Sequence, residues 1–391
     1  MEKISNRITL VLFLSLLFGF SLAFFVLPDR TFSEEENRSL RTYPSFSWKE
    51  LATGAYSEKI NEYFADQFPA RDLFVGIKAT AELSLGKGEN NGVLLGRDGQ
   101  LARRLFDVTR ADGSIAENLD QFDPVAVLQA AQGINRAAHS VGVPFSVLFT
   151  GRTLDVTATS FSYPNDSGNA LREFLQKELD PSVSYIETVP LLAEKHRLGE
   201  YVYYKTDHHW TTLGAYYAYA QVMRSFGMEE EILPPSAFEK HVVSERFYGT
   251  AWSKSGMKFV SPDRMDFWLL GNEDSFAVTA DGKMLEGMYS TAYLAQKDQY
   301  SAFLDGTHDI VTVKKKDGTA RPTLLLFKDS FANSLAPFLA QHFDLVLLNL
   351  SSARTDFSDT QALVKQYKAD RVLLVYTLEN VVGATKLQKF H

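Results

Sequence analysis

Hydrophobic positions along the chain follow three patterns in turn. The first is unbroken. From Ile8 to Leu27 every residue is uncharged and most are strongly apolar, and Pro28 ends the run. About 20 residues at 1.5 Å each match a bilayer core of ~30 Å. A cleaved signal peptide has a shorter apolar core and small residues at its cleavage site, whereas Phe24, Phe25 and Val26 follow Ala23 here. The run therefore predicts an uncleaved signal anchor rather than a cleaved signal or a buried core helix. Lys3 and Arg7 before it, and Glu34 to Glu36 after it, put the N-terminus in the cytoplasm and the remainder outside.

The second pattern is helical. After a polar, Pro-punctuated stretch (PDRTFSEEENRSLRTYPSFSW, 28–48), Leu51, Tyr56, Ile60, Tyr63, Phe64 and Phe68 fall on one helix face, and Pro69 opens a second helix. Asn91-Gly92 and Asp98-Gly99 then bracket short strands in hairpin style.

The third pattern alternates strands and helices. A helix follows Asp123-Pro124 to about Ser140 and leads into VPFSVLFT (143–150), a continuous apolar run of the kind buried on both faces of a parallel sheet. A helix over 168–179, a strand over 183–189 and a helix from Leu213 to about Phe226 come next. Residues 235–320 change character, with Asp281-Gly282 and Asp317-Gly318 turns between short mixed strands, and read as a mostly β insertion or lid. The rhythm returns with PTLLLF (322–327), a helix near 334–343, DLVLLNL (344–350), a helix near 359–368 and RVLLVYTL (371–378). The expectation is an α/β fold, a parallel sheet flanked by helices. The expected division is a stub and anchor over 1–28, a linker over 29–48, and one domain over 49–391 with the β-rich insertion at about 235–320.

Composition removes several functional classes. The 391 residues carry a formal net charge of -8 and no basic block, so nucleic-acid binding has no electrostatic driving force. With no Cys there are no disulfides, thiolate metal sites or Cys nucleophile.

Chemistry concentrates in YVYYKTDHHWTTLGAYYAYA (201–220). In an extended segment residues i and i+2 share a side, so Asp207 and His209 act together while His208 points elsewhere. Thr211 and Thr212 are suited to cap the following helix. A hydrolytic pair needs a nucleophile, and LLLFKDSFANS (324–334) offers Ser330 directly after a buried strand and before a helix that starts around Asn333 to Pro337. Such a turn exposes a hydroxyl and aims backbone N–H groups at a developing oxyanion. His209 would take the Ser330 proton and Asp207 would orient the imidazole. Arg152 and Asn333 are candidates for substrate or oxyanion contacts. Tyr204 and Trp210 belong to an aromatic flank, partly core, that is also suited to stacking on sugar rings. Asp207, His208 and His209 as metal ligands remain an alternative, although a divalent site usually takes three protein ligands and, with His208 pointing elsewhere, no obvious third joins Asp207 and His209.

These two stretches carry a resemblance. The chain resembles the bacterial DHHW protein family, named for the tetrapeptide at 207–210, which is similar to the exopolysaccharide O-acetyltransferases of the AlgX/AlgJ type within the SGNH hydrolase-like superfamily. ENRSLRTYPSFSW (36–48), GVLLGRDGQL (92–101), YYKTDHHWTTLGAYYAY (203–219) and FKDSFANSLAPFLAQHF (327–343) look like family blocks. The resemblance implies an SGNH hydrolase-like domain, with Asp207 and His209 as acid and base and Ser330 as nucleophile. It also implies no cofactor, a polysaccharide substrate, and a multi-pass acyltransferase partner if the acetyl donor is intracellular. The Gly that usually precedes Asp-Ser in SGNH enzymes is Lys328 here. That departure keeps open a catalytically silent glycan-binding or assembly factor on the same fold.

Overall fold

The computed structural model describes residues 2–104, 108–109, 115–116, 122–163, 165–352, 354–383 and 385–391. They form two compact units, Met1–Asn90 with Ser253–Lys258, and Asn91–Trp252 with Phe259–His391.

The first unit is helical. α1 (Glu2–Val26) contains a 23-residue segment, Ile4–Val26, long and apolar enough to cross a membrane. α2 (Trp48–Thr53) is capped by Ser47 and ends at Gly54, whose φ of 83° is the left-handed conformation that glycine adopts without a Cβ clash. α3 (Ala55–Gln67) and α4 (Arg71–Ser84) follow, so the helix expected to carry Leu51 to Phe68 on one face is broken at Gly54, and the next begins at Arg71 rather than Pro69. The stretch expected as a linker is tied down. Phe32–Ser33 pairs with Arg38–Ser39, and Arg38 grips Asp66 of α3 through two nitrogens at 2.9 and 2.5 Å. Arg71 bonds Glu36 from the start of α4. On the other side Phe20 of α1 stacks on Phe68 at 5.4 Å, and Phe24 meets Phe64 at 5.1 Å.

The second unit is built on eight strands: β1 (Phe145–Thr150), β2 (Val183–Ile186), β3 (Phe276–Ala280), β4 (Lys283–Met284), β5 (Ile310–Lys315), β6 (Thr323–Lys328), β7 (Asp344–Asn349) and β8 (Arg371–Thr377). Their order in space is β4-β3-β5-β7-β6-β8-β1-β2. The five strands from β7 to β2 are parallel, while β3, β4 and β5 pair antiparallel. The sheet is thus mixed rather than purely parallel. The insertion, expected as a mostly β insertion or lid, supplies β3 to β5 to one edge of it and also forms an antiparallel pair, Glu239–Phe247 with Asp263–Leu269.

The continuous apolar runs explain the layering. Leu324, Leu326, Leu345, Leu347 and Val375 face one core, while Leu325, Phe327, Val346, Leu348 and Leu374 face the other. Helix α5 (Pro124–Val141), capped by Asp123, lies in the second core. α6 (Asp166–Glu178), α7 (Val189–Arg197) and α8 (Thr212–Ser225) follow. Their packing places the carboxyl end of β6 beside those of β8 and β1, where sites on α/β sheets lie.

One boundary moves. The helix expected near 334–343 begins at Phe331 and runs to Leu339 as α9. The Asp329 carboxylate accepts the Phe331 N–H at 3.0 Å, which fixes the first turn directly after Ser330. Pro337 is tolerated inside the helix rather than opening it.

Candidate active site

The 203–210 segment is a closed loop. Tyr203 bridges Trp210, Tyr204 N–H donates to His209 O at 3.1 Å, and Thr211 N–H donates to Val202 O at 3.0 Å. Asp263 holds it from outside, accepting from Lys205 N–H at 2.9 Å, Thr206 N–H at 2.7 Å, the Thr206 hydroxyl and the Tyr201 hydroxyl. Thr211 caps α8, as expected, by accepting from Gly214 N–H at 3.2 Å.

Within the loop Asp207 and His209 turn to the same side. His209 Nδ1 is 2.5 Å from Asp207 Oδ1, and the His209 N–H donates to the same oxygen at 3.0 Å. The other carboxylate oxygen accepts from Thr250 N–H at 2.8 Å and from its hydroxyl at 3.1 Å. Burial alone would raise this carboxyl. The imidazoles of His208 and His209 and the hydrogen bonds outweigh it and hold Asp207 well below the usual carboxylate range. On the far side of the ring His209 Nε2 lies 2.7 Å from Ser330 Oγ. With Nδ1–H turned to Asp207, Nε2 is the ring nitrogen left to accept the Ser330 O–H.

Residues that the linear pattern did not reveal build the support. Tyr300, from the insertion, stacks flat on His209 with centroids 3.7 Å apart and planes at 8°. Its hydroxyl meets Ser334 Oγ at 3.0 Å, which also accepts from Trp210 Nε1 at 2.8 Å. Asp329 Oδ2 accepts from Thr377 N–H at 2.7 Å, the Thr377 hydroxyl and Asn380 Nδ2 at 2.9 Å, pinning the serine turn to the end of β8. The Ser330 N–H meets no acceptor among the described residues. Ser334, four residues after Ser330 on the emerging helix, was findable from spacing; nothing near Tyr300 in sequence marks it.

Several expectations are corrected. His208 does not point away. The segment is a succession of bends rather than extended chain, so its ring lies 3.9 Å from that of His209 and Nδ1 bonds Thr250 Oγ1 at 2.7 Å. Burial, and then His209, push its pKa down. Tyr204 and Trp210 are fully buried and present no ring face to a sugar. Arg152 is buried too, caps the turn Thr153–Val156, and pairs with Asp155 at 2.8 Å and Asn165 at 2.7 Å. Asn333 is buried and turned inward rather than toward a substrate. Its Oδ1 accepts from Lys328 Nζ at 2.7 Å and its Nδ2 donates to Gly306 O at 3.2 Å. The structure therefore brings Asp207, His209 and Ser330 together and keeps Arg152, Tyr204, Trp210 and Asn333 as buried supports.

Asp207, His208 and His209 can offer three ligand atoms within 4.8 Å of one another. Yet Asp207 Oδ1 and both ring nitrogens of His209 already form the hydrogen-bonded line to Ser330.

A model of the DHHW protein family matches residues 153–349, just over half of the chain, and that span contains all three residues. No curated protein matches the chain. Among solved structures, a DHHW family protein from Eubacterium siraeum is 20% identical, with 76% of this chain and 97% of that one covered and a TM-score of 0.56. PatB1 of Bacillus cereus is 17% identical, with 76% and 99% covered and a TM-score of 0.60, and it has also been solved with a sulfonyl adduct. The O-acetyltransferase domain of Pseudomonas putida AlgJ aligns at 14% identity over 77% of this chain and 95% of its own, with a TM-score of 0.46. At these identities the first two likenesses establish the fold.

Proposed function

The chain belongs to the DHHW protein family, and from that premise we propose that it is a serine-dependent acyl-transfer enzyme, acting on acetyl esters of a cell-envelope or exported polysaccharide. The observation that carries this reading is the line from Asp207 through His209 to Ser330 Oγ, 2.5 and 2.7 Å long. Ser330 Oγ attacks the acetyl carbonyl while its proton passes to His209 Nε2. The carbon–oxygen bond to the leaving group breaks, His209 returns the proton to that group, and an acetyl-serine remains. A sugar hydroxyl (transferase) or water (esterase) then gives its proton to His209 and takes the acetyl group, restoring the serine. Asp207, ionised and tied to Thr250, keeps the ring in the required tautomer. Tyr300 fixes the ring plane, and in this reading the Ser330 N–H, which meets no acceptor among the described residues, donates to the tetrahedral oxyanion.

Ile4–Val26 serves as an uncleaved anchor in this reading, with the enzyme on the extracytoplasmic side. No finding supports a multi-pass acyltransferase partner, and the reaction is written without one. The metal reading has less behind it, because its ligand atoms are already engaged.

The expected result is release of acetate from p-nitrophenyl acetate and stoichiometric labelling by an aryl sulfonyl fluoride. Both should be lost in Ser330→Ala, by at least about 10³-fold, with the melting temperature unchanged. Equal turnover in the variant overturns the assignment. A folded wild type with neither activity nor labelling favours the silent glycan-binding alternative.

A further inference from the structure

The helical unit shows its apolar side to the outside. Along α4, Leu73, Ile77, Ala81 and Leu85 recur every fourth residue and are all exposed, the three large ones at 61%, 53% and 88%. Gly76 and Ala79, the small residues, are the buried ones. A soluble helix has the reverse arrangement. Beyond α1, eleven of the exposed large apolar side chains among the described residues fall within 28–90 and only five in all the residues after that. Such a concentration marks a surface that is covered in use.

What covers it follows from contacts inside this unit. Phe20 lies six residues before Val26, about 9 Å along the helix axis, and Phe68 and Phe74 touch its ring at 5.4 and 5.5 Å. If α1 crosses a bilayer, Phe20 is within the hydrocarbon, and rings in contact with it share its depth. That depth matches the roughly 5–10 Å to which an interfacial helix buries its apolar face. A cavity of about 530 Å³ opens between α1 and α3, lined by Phe13, Leu17, Phe20, Phe24, Phe64 and Phe68 among others, with no charged residue. The charged groups near the helix pair are mutually satisfied: Arg38 with Asp66, Arg30 with Asp72, Lys59 with Glu50. Attraction to anionic headgroups is therefore not required.

We propose that the outward face of α3–α4, formed by Phe64, Phe68, Leu73, Phe74, Ile77 and Leu85, sits in the interfacial layer of the bilayer that α1 crosses. The unit is then a membrane-embedded collar rather than a stalk. The proposal rests on the anchor reading of α1, and lipid is preferred to a second copy of the chain because the apolar face is continuous with that helix.

The chain has no Cys, so single-Cys variants label uniquely. Full-length Leu73→Cys, Ile77→Cys and Lys59→Cys, each labelled with a fluorophore, are placed in phosphatidylcholine nanodiscs. They are then quenched by doxyl lipids and, separately, by iodide in water. The 73 and 77 labels are expected to be quenched by lipid and shielded from iodide several-fold relative to the 59 label. Labels at 73 and 77 as open to iodide as the 59 label overturn the proposal, and labels reached by neither quencher show that protein covers the face instead. Alkaline extraction of membranes tests the anchor by itself: a released chain removes both readings, whereas a retained chain with iodide-accessible 73 and 77 labels removes the collar alone.

Discussion

Lys328 stands where the SGNH resemblance leads to the expectation of a glycine. The structure gives it a position that glycine could not fill. It ends β6 with its ammonium buried, its hydrogen bond running to Asn333 Oδ1, and its backbone C=O accepting from Leu350 N–H. Burial pushes its pKa down to about 8 against the opposing pull of Asp329. Below that value the folded state keeps a charge it disfavours. Between about 8 and the ordinary lysine value of 10.5 the unfolded chain binds the extra proton, so this group makes stability rise with pH across that window. The buried tyrosines Tyr203, Tyr204 and Tyr300, whose pKa values are raised by burial, draw stability down only above their ordinary range near 10. The melting temperature should therefore climb between pH 8 and about 9.5, and Lys328→Met should flatten that climb. An identical slope in wild type and variant refutes a strained buried ammonium. The slope is the measurement of choice because the substitution also leaves Asn333 Oδ1 without its donor, a loss of about 1 kcal/mol that shifts both ends of the profile alike.

At the level of elements, the site depends on how closely the 249–250 segment approaches the 203–210 loop. Gly249 leaves no room for a Cβ, which would overlap the Asp207 Cβ and Oδ2. Its N–H donates to Thr206 Oγ1 at 3.1 Å, and the next residue supplies two bonds to Asp207. Gly249→Ala must push Asp207 out of line with His209. We expect kcat to fall by about 10-fold or more, through misplacement of a supporting carboxylate, with the fold retained by circular dichroism. Unaltered kcat would show that Thr250 is not what aligns the carboxylate. Local pattern carried much of this level. The cap at Thr211, the helix after Asp123-Pro124 and the buried strand over 145–150 stand where hydrophobic period and cap chemistry put them. The start of α9 did not, because it is set by an Asp329 side chain that sequence reading had no reason to aim at Phe331.

At the scale of the whole molecule the proposed role of the N-terminal helix as an anchor sets where the proposed chemistry would happen. An anchor predicts that protein recovered from membranes keeps residues 1–27, which intact-mass measurement checks directly; a mature chain beginning after Ala23 shows cleavage instead. Charge, the absence of cysteine, the α/β rhythm and the candidacy of Asp207, His209 and Ser330 were all legible in the linear chain. Each depends on composition, on a period of 2 or 3.6 residues, or on turn chemistry within a few positions. Tertiary structure alone decided the rest. It closed a gap of 121 positions to set His209 against Ser330, brought Tyr300 flat onto the imidazole, and withdrew Tyr204, Trp210, Arg152 and Asn333 into the interior. It also left the apolar stripe of α4 uncovered. Periodicity states that a helix has an apolar face but not what lies against it. That outcome is settled only when distant segments compete for the same buried volume.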